Sequence, residues 1–190
     1  MNITTSIASP RALLGIYLND HLTGATAGIE LAKRCMGSNE DTPLGHYLAR
    51  FVGEIVEDRD AVRDLLARLG VGENRAKQLG GYVAEKLGRL KFNGQLTGYS
   101  DLSRLIEVEG LCLGVEGRIS LLRSLQRIRR HPHVAVMDLD KMLERAQRQR
   151  VELEEFRLEA ALTAFGPRAD DGGVGGWSSP GGTGESAGGA

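Results

Sequence analysis

Residues 42–70, TPLGHYLARFVGEIVEDRDAVRDLLARLG, carry the clearest folding signal in the chain. The segment opens with Thr42 and Pro43, an N-cap residue followed by a first-turn proline. It closes at Gly70, a residue type that favours a helix C-terminus. Between these boundaries apolar residues recur every three or four positions, the period of one helix face. They are Leu44, Leu48, Phe51, Ile55, Val62, Leu65, Leu66 and Leu69. The segment therefore predicts an amphipathic helix over 43–69.

The same signals on either side of this segment predict three more long helices. On the N-terminal side, Ser9 and Pro10 repeat the capping pair, and Gly37 marks a stop. On the C-terminal side, Ser100 precedes another periodic segment. The three helices are predicted at 10–35, 101–129 and 138–165. Each would be about 40 Å long at about 1.5 Å per residue. Between them we find no sustained alternation and no hairpin turn that would predict a strand.

The lengths of the connections predict how the helices are arranged. Short connections join the first helix to the second and the third to the fourth, so each pair should form an antiparallel hairpin. The long connection over residues 70–100 predicts a crossover along the bundle. Apolar periodicity over residues 76–90 predicts a short extra helix within it. The predicted fold is therefore all-α, a ferritin-like four-helix bundle with a long crossover between helices 2 and 3.

The glycines divide the chain into a folded body and a tail. Ten of the 26 glycines fall in residues 166–190, which contain little apolar surface. Such a composition cannot offset the entropy of ordering, so we expect this tail, with Trp177, to be disordered. The predicted organisation is a flexible segment at 1–9, a helical domain at 10–165 and the glycine-rich tail.

Charge and composition narrow the classes of function. With 24 basic and 25 acidic residues, the formal net charge is −1, whereas dedicated nucleic-acid binders usually carry a basic excess. No apolar run has the length of a membrane span, and the N-terminus lacks a signal-peptide pattern. Cys35 and Cys112 have no metal-type spacing, and a reducing compartment suits two isolated thiols. These observations predict a cytoplasmic protein.

Polar residues interrupt the apolar stripes of the first two helices. His21 interrupts the first stripe, and Asp58 interrupts the second. Counted from the connecting loop, they lie at the same level of an antiparallel hairpin. We therefore expect His21 and Asp58 to face each other as part of a buried polar network.

The last two helices supply the other members of this predicted network. Glu109 and Glu116 are seven positions apart, on the same predicted face as Leu105 and Leu113. Counted from the loop between the helices, Glu116 should lie roughly level with Gln149, Arg150 or Leu153. We expect Glu116 to form a buried ion pair with Arg150 or Arg123, and such a pair would fix the register of the helices.

A metal site is the alternative interpretation of these residues. Carboxylate and imidazole ligands suit iron or manganese, and ferritin-like centres draw such ligands from all four helices. The ligands here would be His21, Asp58, Glu109 and Glu116. However, the sequence contains no Glu-x-x-His motif, and an arginine at position 150 would oppose a dication. The ligand count therefore favours the ion-pair network and no cofactor, and we assign no catalytic residues.

Two sets of glycines lie inside predicted helices. Gly24 and Gly28 are four positions apart in the first helix, and Gly110 and Gly114 are four apart in the third. Each glycine costs a helix about 0.8–1 kcal/mol relative to alanine, so a compensating role is expected. We favour close packing of two helices at these positions. The alternative is that they leave room for a ligand or for a neighbouring subunit.

A basic patch ends the third predicted helix. It consists of Arg123, Arg127, Arg129 and Arg130. Such a cluster can bind phosphate or an anionic lipid surface. The more common role of a cationic helix end is to lie in solvent and balance the helix dipole.

Four segments resemble a group of small uncharacterised bacterial proteins with a ferritin-like fold. They are YLNDHLTGATAG (17–28), EDRDAV (57–62), AEKLGRLKFNG (84–94) and LGVEG (113–117). The resemblance covers about residues 12–165. It implies a bundle with a crossover helix and implies no particular reaction. The resemblance to metal-binding ferritins is architectural and does not extend to ferroxidase activity.

These observations lead to three hypotheses about function. The first is a non-enzymatic cytoplasmic bundle with an interaction or assembly role, acting as a homo-oligomer or with a protein partner. The second is an iron- or manganese-dependent redox or metal-binding protein with a degenerate site. The third is a peripheral protein that binds anionic surfaces through its basic patch.

Overall fold

The computed structural model describes residues 9–72 and 99–167, and these form four long helices. They are α1 (Pro10–Gly37), α2 (Pro43–Arg68), α3 (Asp101–Arg127) and α4 (Leu139–Phe165). Within these two ranges there is no strand. The predicted all-helical class and the four-helix bundle are confirmed, and each helix boundary lies within about two residues of its expected position. The predicted short helix over 76–90 and most of the glycine-rich tail lie outside the described residues.

The helix ends form where the capping residues predict them. The side chains of Ser9 and Thr42 each accept a hydrogen bond from a backbone amide three residues later. Ser100 and Asp138 cap α3 and α4 in the same way. Gly70, just past α2, has a φ of +62°, a conformation that glycine adopts without a steric penalty.

Two contacts show how the chain connects the two hairpins. Arg11 Nε donates to the Leu69 carbonyl over 2.6 Å, which places the start of α1 beside the end of α2. Asn39 Nδ2 donates to the Tyr99 hydroxyl over 3.0 Å, beside the turn between α1 and α2. The residues that flank 73–98 therefore lie at opposite ends of the bundle. As a result, α2 and α3 run in the same direction, as a crossover between two hairpins requires.

Each helix contributes one face to a single aliphatic core. Helix α1 packs against α2 and α3, helix α3 packs against α4, and α2 meets α4 along a shorter interface. Among the most completely buried side chains of the described residues, Phe51 is the one aromatic residue, and most of the others are leucines. The expected stripe of α2 faces this core. So does the stripe expected in α4, which consists of Leu139, Leu143, Ala146, Leu153, Phe156 and Ala160.

The inward face of α3 differs from the expected one. Val108, Val115 and Ile119 are buried, whereas Leu113, expected to face inward, is 69% exposed. Apolar residues occur nearly all round this helix, so spacing alone did not identify the buried face. This rotation turns Glu109 away from the core as well.

No helix in the described part of the chain is both long and apolar enough to cross a membrane.

Candidate functional site

A buried carboxylate on α2 is joined to guanidinium groups from two other helices. Asp58 is 3% exposed, and its Oδ2 lies 3.2 Å from Nη1 of Arg118 on α3. Its Oδ1 accepts a hydrogen bond from Arg145 on α4, which also pairs with Glu57 over 2.7 Å. Burial raises the pKa of the Asp58 carboxyl, and the two guanidiniums oppose that rise. Burial also lowers the pKa of Arg118. Three helices thus meet at one ion-paired acid.

Gln149 extends this network along α4. Its amide oxygen accepts a hydrogen bond from Arg118, and its amide nitrogen donates to Glu54 on α2. Arg148 lies 3.2 Å from the other oxygen of Glu54, and the Tyr47 hydroxyl donates to the Gln149 carbonyl over 3.3 Å. Hydrogen bonds and ion pairs therefore link the polar groups of α2, α3 and α4. Such a network holds the side chains of Asp58 and Arg118 in fixed positions.

Beside this network lies a cavity of about 440 Å³. Its walls include Gly24 and Gly28 of α1 and Gly114 and Gly117 of α3. Gly24 and Gly114 are solvent-exposed, so the cavity opens to the outside between α1 and α3. Deeper, it is lined by apolar side chains together with Asp58 and Arg118. Its volume lies within the usual range for small-molecule sites, about 300–1,000 Å³.

The in-helix glycines provide space instead of close helix contact at most positions. Among the described residues, no atom outside the glycine's own stretch of helix lies within 4 Å of a Cβ built at Gly24, Gly28 or Gly114. Within residues 9–72 and 99–167, these three glycines therefore do not make the close helix contact that we expected. A Cβ at Gly110 would meet Leu31 Cδ2 at 3.0 Å, so this position is the one that is tightly packed.

His21 lines the same cavity as Asp58 but is not its ion-pair partner in the described structure. Its ring lies edge-on to the ring of Tyr17, with 4.6 Å between centroids. Burial lowers the pKa of His21, and the charge of Asp20 opposes this effect. The expected His21–Asp58 pair is thus replaced by the Asp58–arginine pairs, because guanidiniums from α3 and α4 reach the carboxylate.

The other members of the predicted network lie on the outer surface between α3 and α4. Arg150 Nη1 pairs with Glu116 Oε1 over 3.1 Å, so the expected register of the two helices is present. Both side chains are more than half exposed, and Glu109 is exposed as well. The network expected around Glu109, Glu116 and Arg150 is therefore not buried, because α3 turns this face to solvent.

The four expected metal ligands do not come together. His21 and Asp58 line the interior cavity, whereas Glu109 and Glu116 line a separate groove on the far side of α3. In residues 9–72 and 99–167, no three His, Cys, Asp or Glu side chains form a group that could hold a metal ion.

The four arginines of the predicted basic patch are all exposed. They are Arg123, Arg127, Arg129 and Arg130. Arg129 Nη2 lies 3.0 and 2.9 Å from the two carboxylate oxygens of Asp140. That pair reduces the positive charge available to an anionic surface.

The sequence interpretation missed the arginines that hold Asp58. Arg118 lies in the stripe Leu111, Val115, Arg118 and Leu122, where it is the one polar residue. That spacing would have identified Arg118 as a buried cation if the sequence pattern had predicted that this face of α3 is buried. Arg145 lies outside the expected inward stripe of α4, so no such signal was available for it.

A second buried cluster, also missed, ties the start of α3 to the turn between α1 and α2. Glu107 is 3% exposed and pairs with Arg34. The Tyr99 hydroxyl donates to Glu107 over 2.9 Å and lies 3.7 Å from the sulfur of Cys35. Asn39 completes the cluster with its hydrogen bond to Tyr99. All of these contacts are made between side chains of the fold itself.

Comparison with protein-family models, curated proteins and solved structures returns no match for this chain.

Proposed function

We propose that the protein is a non-enzymatic helical bundle that binds a small, largely apolar molecule in the interior cavity. The observation that carries this proposal is the cavity of about 440 Å³ with glycines from two helices in its walls. Concave, mostly apolar spaces with a few fixed polar groups are typical of ligand sites. Asp58 and Arg118 supply such groups here.

The glycines in the cavity wall support a function for the cavity. Glycine in a helix interior costs about 0.8–1 kcal/mol relative to alanine. Gly24, Gly28, Gly114 and Gly117 all line the cavity, and at each of them an added Cβ would meet no other described residue within 4 Å beyond the adjoining helix backbone. Packing does not require glycine at these positions. We infer that these glycines keep the cavity wall open, and that this function outweighs their cost in helix stability.

The electrostatics favour binding over acid–base chemistry. Asp58 is held between two guanidiniums and is tied into a network across three helices. The neighbouring arginines also oppose a divalent cation, which favours an organic ligand over iron or manganese.

We also propose a ferritin-like relationship and a cytoplasmic location for this bundle. The order hairpin, crossover, hairpin supports the first, since one long crossover is the ferritin-like arrangement. The absence of a basic excess and of an apolar membrane-length segment in the sequence supports the second.

A binding assay with a cavity-filling variant tests the proposal. The probe is the neutral dye N-phenyl-1-naphthylamine, whose fluorescence increases in apolar sites. The variant is Gly28→Leu, which places a side chain in the cavity. The matched control is Gly53→Leu, at an exposed helical glycine of α2 that also has open space around it. We expect the wild type and the control to bind the dye and Gly28→Leu to lose at least about tenfold in affinity. Equal binding by all three proteins, or no binding by the wild type, would exclude the cavity as the site.

Self-association is a second candidate function, favoured by one surface of α4. Val151, Leu158, Leu162 and Phe165 follow each other at spacings of seven, four and three, and all are more than half exposed. This spacing forms one stripe along the helix, as in the seam between paired helices. We propose a second copy of the chain as the partner. Light scattering should show a dimer that Leu162→Glu disrupts, and a monomeric wild type would exclude it.

A further inference from the structure

His21 borders the cavity without a hydrogen-bond partner. The residue is partly buried in α1 and lines the cavity together with Tyr17. Its side chain makes no hydrogen bond with another described residue, and neither ring nitrogen is among the fully buried polar atoms that lack partners. The imidazole is therefore still in contact with solvent at the cavity wall, where a bound molecule would replace that solvent.

One acid in the cavity lining favours a protonated imidazole. Asp20 precedes His21 on α1, and its side chain is solvent-exposed. Water screens the attraction of an exposed charge, so this support is weak. Burial has the larger effect and lowers the pKa of His21. The imidazole is therefore neutral at pH 7 and takes up a proton on the acidic side of neutrality.

The charges on the neighbouring helices do not stabilise an imidazolium. On α2, the Asp58 carboxylate is already paired with arginines of α3 and α4. Arg59 of α2 and Arg118 of α3 bring positive charge to the lining, and Arg59 is paired with Asp60 over 2.8 Å. The residue that α4 contributes to the lining, Met142, is apolar. Solvent is therefore an important source of stabilisation for a charged His21.

An apolar molecule in the cavity would remove part of this solvent. A protonated imidazole would then lose hydration without gaining a partner, whereas the neutral ring would lose much less. We propose that the cavity holds its ligand while His21 is neutral and releases it when His21 takes up a proton. This inference rests on the proposed ligand-binding function and adds a pH-dependent regulation of the same site.

Thermodynamic linkage gives this regulation two measurable consequences. A ligand that disfavours the protonated ring must lower the pKa of His21, and protonation must weaken binding of the ligand by the same factor. The affinity is therefore constant well above the pKa of His21 and falls as the pH decreases through it. In the complex, the pKa of His21 is lower than in the free protein.

The pH dependence of dye binding tests the first consequence. N-phenyl-1-naphthylamine is suitable because its diarylamine group stays uncharged between about pH 5 and about pH 7.5. We expect the affinity of the wild type to fall at least about threefold over this range, and that of His21→Gln to stay constant. The matched control is His46→Gln, an exposed histidine of α2 outside the cavity lining, which should keep the wild-type behaviour. Circular dichroism at each pH confirms that every variant is folded.

Asp58 is the competing source of a pH dependence. Burial raises the pKa of this carboxyl, and its protonation would leave the neighbouring guanidiniums without their acid. The His21→Gln variant separates the two groups. A pH dependence that persists in this variant would come from a carboxyl such as Asp58 or Asp20 and would overturn the role of His21.

A nuclear magnetic resonance titration of the wild type tests the second consequence without any substitution. The ring protons of the assigned histidines are followed against pH, with and without the dye. We expect the dye to lower the pKa of His21 and to leave the pKa values of His46, His131 and His133 unchanged, because these three lie outside the cavity lining. An unchanged pKa of His21 in the complex would overturn the inference even if His21→Gln does not fold.

The outcomes also separate this regulation from the binding function. If the dye binds equally well at both pH values, the role of His21 is wrong and the cavity remains a binding site. Tighter binding at the acidic pH would likewise contradict it. If the dye does not bind at about pH 7.5, where His21 is neutral, the ligand-binding function itself fails.

Discussion

Arg118 on α3 places its Nη1 3.2 Å from Oδ2 of Asp58 on α2, joining two helices that no short loop connects. Because α2 and α3 are not directly packed neighbours along their length, this ion pair crosses the bundle interior. Arg145 brings α4 to the same carboxylate. Asp58 and Arg118, which form the ion pair at the centre of the fold, therefore also line its cavity.

Removal of the Asp58 carboxylate should strongly destabilise the fold. Asp58→Ala leaves Arg118 buried without its acid, and breaking a buried pair in this way costs about 3–5 kcal/mol. Urea unfolding followed by circular dichroism measures the change. Glu116→Ala is the matched control, because its pair with Arg150 is more than half exposed and should contribute less than about 1 kcal/mol. Similar losses in the two variants would contradict a buried, interlocked centre.

Glycine-to-alanine substitutions should have opposite effects on the stability of the fold in the cavity wall and at the turn between α1 and α2. The added Cβ of Gly28→Ala meets no described residue within 4 Å beyond the adjoining helix backbone, so the substitution should stabilise the protein by about 0.5–1 kcal/mol through helix propensity. A Cβ at Gly45 would overlap the carbonyl of Asn39, so Gly45→Ala should cost about 1–3 kcal/mol. Thermal unfolding reports both changes. A destabilising Gly28→Ala would show that the cavity wall is closed.

The hydroxyl of Tyr99 should contribute measurably to stability. Tyr99→Phe removes the donor to Glu107 and the acceptor for Asn39, leaving buried polar groups unsatisfied. We expect a loss of about 1–3 kcal/mol in urea unfolding. Tyr17→Phe is the control, since that hydroxyl donates to Ser124 on an exposed surface and its loss should be nearly neutral. Equal effects would argue against a role for the Glu107 cluster in stability.

His21 should make stability depend on pH on the acidic side of neutrality. Burial lowers the pKa of its imidazole below the usual value of about 6.5, against the opposing effect of Asp20. The unfolded chain therefore binds a proton more readily than the native protein does. The contribution is fully present above about pH 6.5 and is lost as the pH falls towards the lower native pKa. His21→Gln should flatten this part of the stability curve, and an unchanged slope would exclude His21 as its source.

The two cysteines should differ in their reactivity with iodoacetamide. Cys35 is fully buried, and burial raises its pKa to about 12. Cys112 is partly exposed, and burial raises its pKa to about 11. Both are neutral thiols at pH 8, but Cys112 is more accessible to the reagent. Mass spectrometry should show that Cys112 is modified first, and that Cys35 reacts only after unfolding. Faster labelling of Cys35 would contradict its burial.

The sequence by itself determined where the helices begin and end and much of what they bury. Thr42, Pro43 and Gly70 mark the limits of α2 through local backbone chemistry, which needs no tertiary contact. The period of the apolar residues between them identified a stripe that is buried throughout, including Asp58. The count of residues from the turn also placed Glu116 near the level of residues 149–153, because helical rise is constant, and its ion-pair partner Arg150 lies in that range.

Only the tertiary structure decided which face of α3 is inside and what the glycines do. Leu113 and Val115 are equally apolar, and the packing of α1 and α4 determines that Val115 is the buried one. Likewise, Gly24 and Gly28 are compatible with close helix contact or with open space. The choice depends on the distance between α1 and α3, which is set by large side chains elsewhere in the interface. Local sequence does not encode that distance, and it is this distance that leaves a cavity beside Asp58.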